Sequence, residues 1–245
     1  MNHGSALRAA SCALYFCTVL GWAPRASSCG VSASGVASCS LAEHNDATRP
    51  HWAVGVSGVY TSTRLRFSGG LHADQVRYAS LASLAYLPTP RLVLQAGVGV
   101  AFGGSLMLPD GKYEFSPGPT GLLGADFRAY DDGRYFVLLT SALSVAAART
   151  HLGGDASVGY QAFDLRLGSE VGVQLADIFR PYVVARVFGG PVYWRYQGEA
   201  VTGTDTHHYQ VGAGAGLSVA KAVNLFVEGI PLGERALSFG VGLAL

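Results

Sequence analysis

Asp205, His207 and His208 fall within four consecutive positions, the one cluster in the sequence able to hold a transition metal or move a proton near neutral pH. They stand at the end of a long polar stretch, where a neutral His pair is ordinarily just solvated. Gly212, Gly214 and Gly216 have the look of a dinucleotide loop, but such a loop must turn from a strand into a helix so that backbone N–H groups meet phosphate. Here the three glycines share one parity inside a strand pattern and read as inward positions that leave lumen space. No Ser sits in a Gly-x-Ser-x-Gly elbow. Asp131 and Asp132 are adjacent carboxylates in a short turn. The sequence therefore nominates no catalytic, cofactor or metal set.

A second group carries more information. Arg77, Arg91, Asp126, Arg128, Asp164, Arg166, Glu170, Arg186 and Glu228 sit on the polar parity of segments whose other parity is apolar. Over residues 160–175, Phe163, Leu165, Leu167, Val171, Val173 and Leu175 take one parity, and Asp164, Arg166, Glu170 and Gln174 the other. A period of two is a strand. At sixteen residues it outruns the usual strand of about five or six and exceeds the roughly 9–11 needed to cross a bilayer at a tilt. With the apolar side toward lipid, the nine charges face inward, and an interior of eight to ten strands is about filled by side chains. A salt-bridged plug is expected ahead of a pore. Glu170 and Arg186 each lie eight positions from Ile178, the centre of a predicted reversal, and should oppose each other directly.

The elements that position these charges recur along the chain. Trp52, Val54, Val56 and Tyr60 alternate with Ala53, Gly55 and Ser57, and Leu92, Leu94, Val98 and Val100 alternate with Gln95, Gly97 and Gly99. Tyr209, Val211, Leu217 and Val219 oppose Gln210 and the glycines. Short turns at 87–90, 131–133, 177–179 and 221–223 separate longer polar stretches at 67–75, 105–116, 150–157 and 197–206, with a tight reversal at 231–235. This asymmetry predicts an all-β, antiparallel, up-and-down transmembrane barrel of about ten strands, eight being the alternative, with short periplasmic turns and long outer loops. Trp52, Tyr60, Tyr78, Tyr86, Phe127, Tyr135, Tyr193 and Trp194 lie near strand ends, as interfacial girdles require. Residues 135–148 fit worst, because Phe136 and Leu138 fall on the inner parity. Gly189, Gly190 and Pro191 interrupt a strand and predict a bulge.

Composition agrees. Charged residues make up 13% of the chain, against a globular norm of about 25%. The hydrophobic share is nevertheless 49%, with 33 Gly. A net charge of +1, with Lys112 and Lys221 the only lysines, speaks against a nucleic-acid partner. Residues 1–28 read as a signal peptide: one Arg within 1–8, an apolar run over 9–23 too short to span, and the small residues Ala26, Ser27 and Ser28 for cleavage. Residues 29–50 then form a short periplasmic segment and 51–245 the barrel. Cys12 and Cys17 leave with the leader. Cys29 and Cys39 remain as an even pair, expected to form a disulfide in an oxidising compartment, lipidation of Cys29 being the alternative.

Together, the leader, the alternating strands and the last strand resemble the small Gram-negative outer-membrane β-barrels grouped with the OmpA and OmpW types. The resemblance covers about Trp52 to the C-terminus and is one of architecture. Leu237, Phe239, Val241, Leu243 and Leu245, within 236–245, resemble the signal such barrels present to their insertion machinery, although the chain ends in Leu where an aromatic is usual. The resemblance implies outer-membrane lipid as a partner and a location more than a role. A non-enzymatic structural or surface-interaction function is expected. A narrow solute channel, an outer-membrane hydrolase and a secreted lipocalin-like barrel stand behind it. Outer-membrane proteases of ten strands carry Asp and His at the outer rim, and here Asp131 and Asp132 fall in a predicted periplasmic turn.

Overall fold

The computed structural model describes residues 29–31, 37–39, 52–152, 158–176, 178–220 and 223–245; the expected signal peptide lies outside them. A small antiparallel pair, β1 (Cys29–Val31) and β2 (Ala37–Cys39), sets Cys29 across from Cys39 in register. The remaining strands make one antiparallel sheet that closes on itself. They are β3 (Trp52–Phe67), β4 (His72–Thr89), β5 (Leu92–Leu108), β6 (Gly111–Phe115), β7 (Gly118–Asp131), β8 (Tyr135–His151) and β9 (Val158–Val173). β10 (Phe179–Gly189), β11 (Val192–Tyr196), β12 (Glu199–Asp205), β13 (Tyr209–Ala220), β14 (Val223–Gly233) and β15 (Arg235–Ala244) complete it.

The wall has different strand numbers at its two ends. Near the chain's C-terminus the ring runs β3-β4-β5-β7-β8-β9-β10-β13-β14-β15 and back to β3, which is ten strands. At the opposite end it runs β3-β4-β5-β6-β8-β9-β11-β12 and back to β3, which is eight. The expected ten and the alternative eight both occur, at different heights. The hairpin β14–β15 makes the difference: it is a wedge whose tip stops part-way up, where β12 joins β3 directly. Gly233 turns the tip at φ +83, in the left-handed region that favours glycine. Glu234 N donates to Tyr209 O at 3.3 Å and fastens the tip to the wall. At the fork, Thr206 N donates to Arg64 O at 2.8 Å, and Phe188 N to His208 O at 3.0 Å.

The two faces exchange chemistry at about the height of the wedge tip. Below it, β3 turns Val56 outward and buries Ala53 and Ser57. Above it, the same strand exposes Arg64 and Arg66 and buries Leu65 and Phe67. β6 exposes Lys112 and Glu114 and buries Tyr113 and Phe115, and β11 exposes Tyr193 and Arg195 and buries Val192 and Trp194. The lower storey thus has an apolar exterior, and the upper storey is built inside-in like a barrel standing in water. Trp194, expected in an outer girdle, is consequently an inner residue. The predicted bulge at Gly189 to Pro191 is also absent along β9: Gly189 opposes Leu165 and Val192 opposes Ala162 in one continuous register. The charge parity that suggested a bulge changes because the faces exchange, not because the strand slips.

The inward glycines do not leave open lumen. Gly214 opposes Tyr182, Gly172 opposes Phe136 and Gly240 opposes Phe226, each on a neighbouring strand. A Cβ at any of these glycines would run into the facing ring. Large inner side chains therefore lie flat across a glycine next door and occupy the space it leaves. Phe136 and Leu138, the misfits of the sequence pattern, are buried together with Tyr182, Val184 and Ile230.

Candidate functional site

Strands β9, β10 and β14 bring three of the expected inner charges into one contact. Arg186 donates through Nη1 to Glu228 Oε1 at 2.9 Å and through Nη2 to Glu228 Oε2 at 2.8 Å. The same Nη2 reaches Glu170 Oε1 at 2.8 Å, and Tyr182 OH donates to Glu228 Oε2 at 3.3 Å. The three charged side chains are at most 2% exposed. Two buried carboxylates on one forked guanidinium satisfy much of what burial costs, since bidentate pairing supplies parallel charge-assisted bonds. Glu170 lies in register between Leu138 and Val184, which keep water from it. Gly168, opposite Arg186, is what allows that side chain to cross the strand, because a Cβ there would meet the Arg186 stem.

A second group sits beside the first. Arg166 pairs with Asp164 and, through Nη2, with Glu234 at 3.0 Å. Gln210 Nε2 donates to Glu234 Oε2 at 2.7 Å, and Gln210 is also in register with Arg186, so the two groups adjoin. The guanidinium of Arg166 lies 5.0 Å from the Phe188 ring. Glu234 and Gln210 were missed by sequence reasoning. Glu234 sits in a tight reversal, which reads as a solvent-exposed turn unless the wedge is known to stop inside the wall. Parity did place Gln210 inward, but a neutral amide gave no reason to single it out.

The other expected residues separate. Asp126 and Arg128 are buried on β7, with Arg128 Nη1 at 2.7 Å from Asp131 Oδ2. Arg180, also missed, stacks 4.5 Å from the Phe136 ring. Arg91 is not an inner residue at all. It is exposed in the turn between β4 and β5, where strand parity no longer fixes direction. Arg77 faces a chamber of about 140 Å³ between the buried charges and the upper storey. Above the chamber stand Phe67, Tyr113, Phe115, Tyr160 and Trp194, packed ring against ring. Over them, Tyr113 OH at 3.1 Å and Tyr196 OH at 2.8 Å both donate to Asp110 Oδ2, which ties the β5–β6 hairpin to the β11–β12 hairpin across the mouth.

Asp205, His207 and His208 do not converge. Asp205 accepts from Thr63 Oγ1 at 2.7 Å, His208 Nδ1 is 3.2 Å from Phe188 O, and His207 Nδ1 is 3.2 Å from Thr206 Oγ1. Among the described residues no three His, Cys, Asp or Glu side chains gather as a metal site would require.

A closed antiparallel barrel with an apolar exterior band and a polar, filled interior is the architecture of outer-membrane β-barrels. No protein-family model matches the chain. No curated protein matches it either. Among solved structures, the outer-membrane protease OmpT of Escherichia coli superposes with a TM-score of 0.53 at 11% identity, over 83% of this chain and 99% of that one. The translocator domain of the autotransporter NalP from Neisseria meningitidis gives 0.47 at 12% identity, over 83% and 90%. The attachment invasion locus protein Ail of Yersinia pestis gives 0.35 at 10% identity, over 78% and 96%. At these identities the likeness concerns the fold alone.

Proposed function

We propose that this chain is an integral protein of a Gram-negative outer membrane, non-enzymatic, whose barrel is a sealed support for a water-facing upper storey that makes surface contacts. The exchange of chemistry between the two faces carries this reading. An apolar exterior needs lipid, and the eight-stranded storey above it has the polar exterior and aromatic interior of a wall standing in water. In this orientation the short turns face the periplasm, the last strand, 236–245, engages the insertion machinery, and export follows cleavage of the leader. The register of Cys29 with Cys39 supports a disulfide there, since facing Cα atoms in an antiparallel pair lie within bridging distance.

The interior favours a plug over a channel: Glu170, Arg186 and Glu228 are bonded to one another across it, and five aromatic rings stand above them. A lipocalin-like barrel would need a polar exterior along its whole height, and the lower storey has an apolar one. A hydrolase would need acid and base groups meeting at the rim, whereas Asp205, His207 and His208 each turn to separate partners.

The test is fractionation followed by planar-bilayer recording of the purified protein, with its folded state checked by a heat-dependent shift in gel migration. Recovery in the outer membrane, a shift on boiling and no unitary conductance are expected. Recovery as a soluble monomer without detergent overturns the membrane reading, and steady single-channel steps overturn the plug.

A further inference from the structure

The chamber above the buried charges is lined by an Arg and an Asp that are not bonded to each other. Its volume of about 140 Å³ is far beyond the roughly 10–15 Å³ that admits one water. Arg77 lines it with its guanidinium 5.5 Å from the Phe115 ring and 5.6 Å from the Tyr160 ring. Among the described residues it has no carboxylate partner. Asp205 lines the same chamber, and its one side-chain hydrogen bond among the described residues comes from the hydroxyl of Thr63. Arg166, bonded to Asp164 and Glu234, attracts Asp205 only through space, with no hydrogen bond or ion pair to it.

The fold places these two on either flank of β3. Arg77 on β4 is in register with Thr61, and Asp205 on β12 is in register with Leu65 and bonded to Thr63. Thr61 and Thr63 therefore line the floor between a cation and an anion that do not touch. Two of the lining groups also keep a buried atom unbonded, Asp164 Oδ1 and Arg166 Nη1. A cavity that leaves an Arg and an Asp apart, with hydroxyls between them, is complementary to a molecule carrying both charges.

We propose that this chamber binds a small zwitterion of the size of a short amino acid, its carboxylate on Arg77 and its ammonium group on Asp205. Ring faces beside Arg77 orient the guanidinium without neutralising it, since the N–H donors of a cation over a ring stay available to an anion. The Thr61 and Thr63 hydroxyls serve as neutral partners between the two ends. The Asp110 bonds to Tyr113 and Tyr196 tie the hairpins together above the chamber.

The experiment refolds the full-length protein from urea into detergent with glycine, β-alanine or 4-aminobutyrate present and measures binding by saturation-transfer NMR. Acetate and methylammonium, each carrying one of the two charges, serve as probes on the unaltered protein. Saturable binding of at least one zwitterion, competed only weakly by either half-probe, is expected. Arg77→Gln and Asp205→Asn, each verified as folded by its gel shift, should each weaken it about 10- to 100-fold, as loss of one charged hydrogen-bond partner does. Absence of saturable binding by all three zwitterions overturns the proposal, as does binding unchanged in both variants. Acetate binding as tightly as the zwitterions would overturn it in favour of a plain anion site, a result that needs no variant to fold.

Discussion

Glu170 and Arg186 meet on the diagonal of a strand pair, not face to face. Arg186 opposes Gly168 and Glu170 opposes Val184, yet Nη2 and Oε1 are 2.8 Å apart. Leu175 and Phe179 bond each other in both directions and close the reversal one position earlier than a centre at Ile178, which moves every partner by two. Parity survives a shift of two, so both side chains still point inward. Register does not survive it.

The diagonal changes what mutation should do, because Arg186 also serves Glu228. Arg186→Leu leaves two buried carboxylates and should cost about 3–5 kcal/mol in urea unfolding from detergent. Glu170→Gln keeps the fork on Glu228 and should cost only about 1–2 kcal/mol. Reversing both charges, with Glu170→Lys and Arg186→Glu, should not restore stability, since Glu228 would then face a second carboxylate. Recovery of the original unfolding midpoint by that double variant would mean that Glu228 is not part of the group.

The facing of rings and glycines predicts strong coupling at Phe226 and Gly240. Phe226→Ala should cost about 3–5 kcal/mol through the cavity it leaves. Gly240→Val should cost about 3 kcal/mol or more, because its Cβ meets the ring and also the Val56 carbonyl oxygen, of which Phe226→Ala relieves only the first. Since the valine would occupy the space the ring vacates, the double variant should be clearly more stable than the sum of the two losses. Additive losses would place the Phe226 side chain elsewhere.

These cases mark what the sequence made legible. The period of two in residues 160–175 identified the strands, the inner parity and the charges on it. It could not reveal where the faces exchange, because alternation looks the same with the apolar side in or out. Trp194 and the supposed bulge at Gly189 to Pro191 were misread for that reason. The wedge was hidden too: nothing in residues 231–235 says that the reversal stops within the wall, so Glu234 passed as a surface turn. Arg91 was assigned by counting through a proline turn, where counting has no meaning.

The turn between β7 and β8 provides a pH test. Asp132 Oδ1 accepts from Tyr135 N at 2.7 Å and Arg134 N at 2.9 Å, and Tyr130 OH donates to Oδ2 at 3.0 Å. Those donors, the Tyr135 amide first, hold the carboxyl below its ordinary range. A lowered folded value means that the contribution to stability is present above the unfolded value of about 3.9 and is lost as pH falls through the folded one. Asp132→Ala should therefore be less stable than the unaltered protein at neutral pH, and the gap should close in acid. A gap that stays constant down to the folded value would remove the charged bonds from the account.

The exchange of faces is tested by placing one charge at two heights on the outside. Val98 is 71% exposed on β5 in the lower storey, and Gln161 is exposed on β9 in the upper one. Solvent exposure alone makes the two sites equivalent, so a barrel in water would tolerate Arg at either. In a bilayer they differ, because an outward Arg near the midplane costs about 2–4 kcal/mol and one at or beyond the interface about 0–1. Val98→Arg should lower stability in lipid vesicles by the larger amount and Gln161→Arg should be close to neutral. The inner face should respond in the opposite sense. Leu65→Asn inserts an amide among Phe67, Leu106 and Trp194, where partners are lacking, and should destabilise strongly. Thr140→Asn, buried on β8 below the exchange and in register with Asp126, enters a polar stretch of the interior and should cost less. If Val98→Arg and Gln161→Arg have equal effects in vesicles, the boundary does not lie between them, and the upper storey is embedded with the rest.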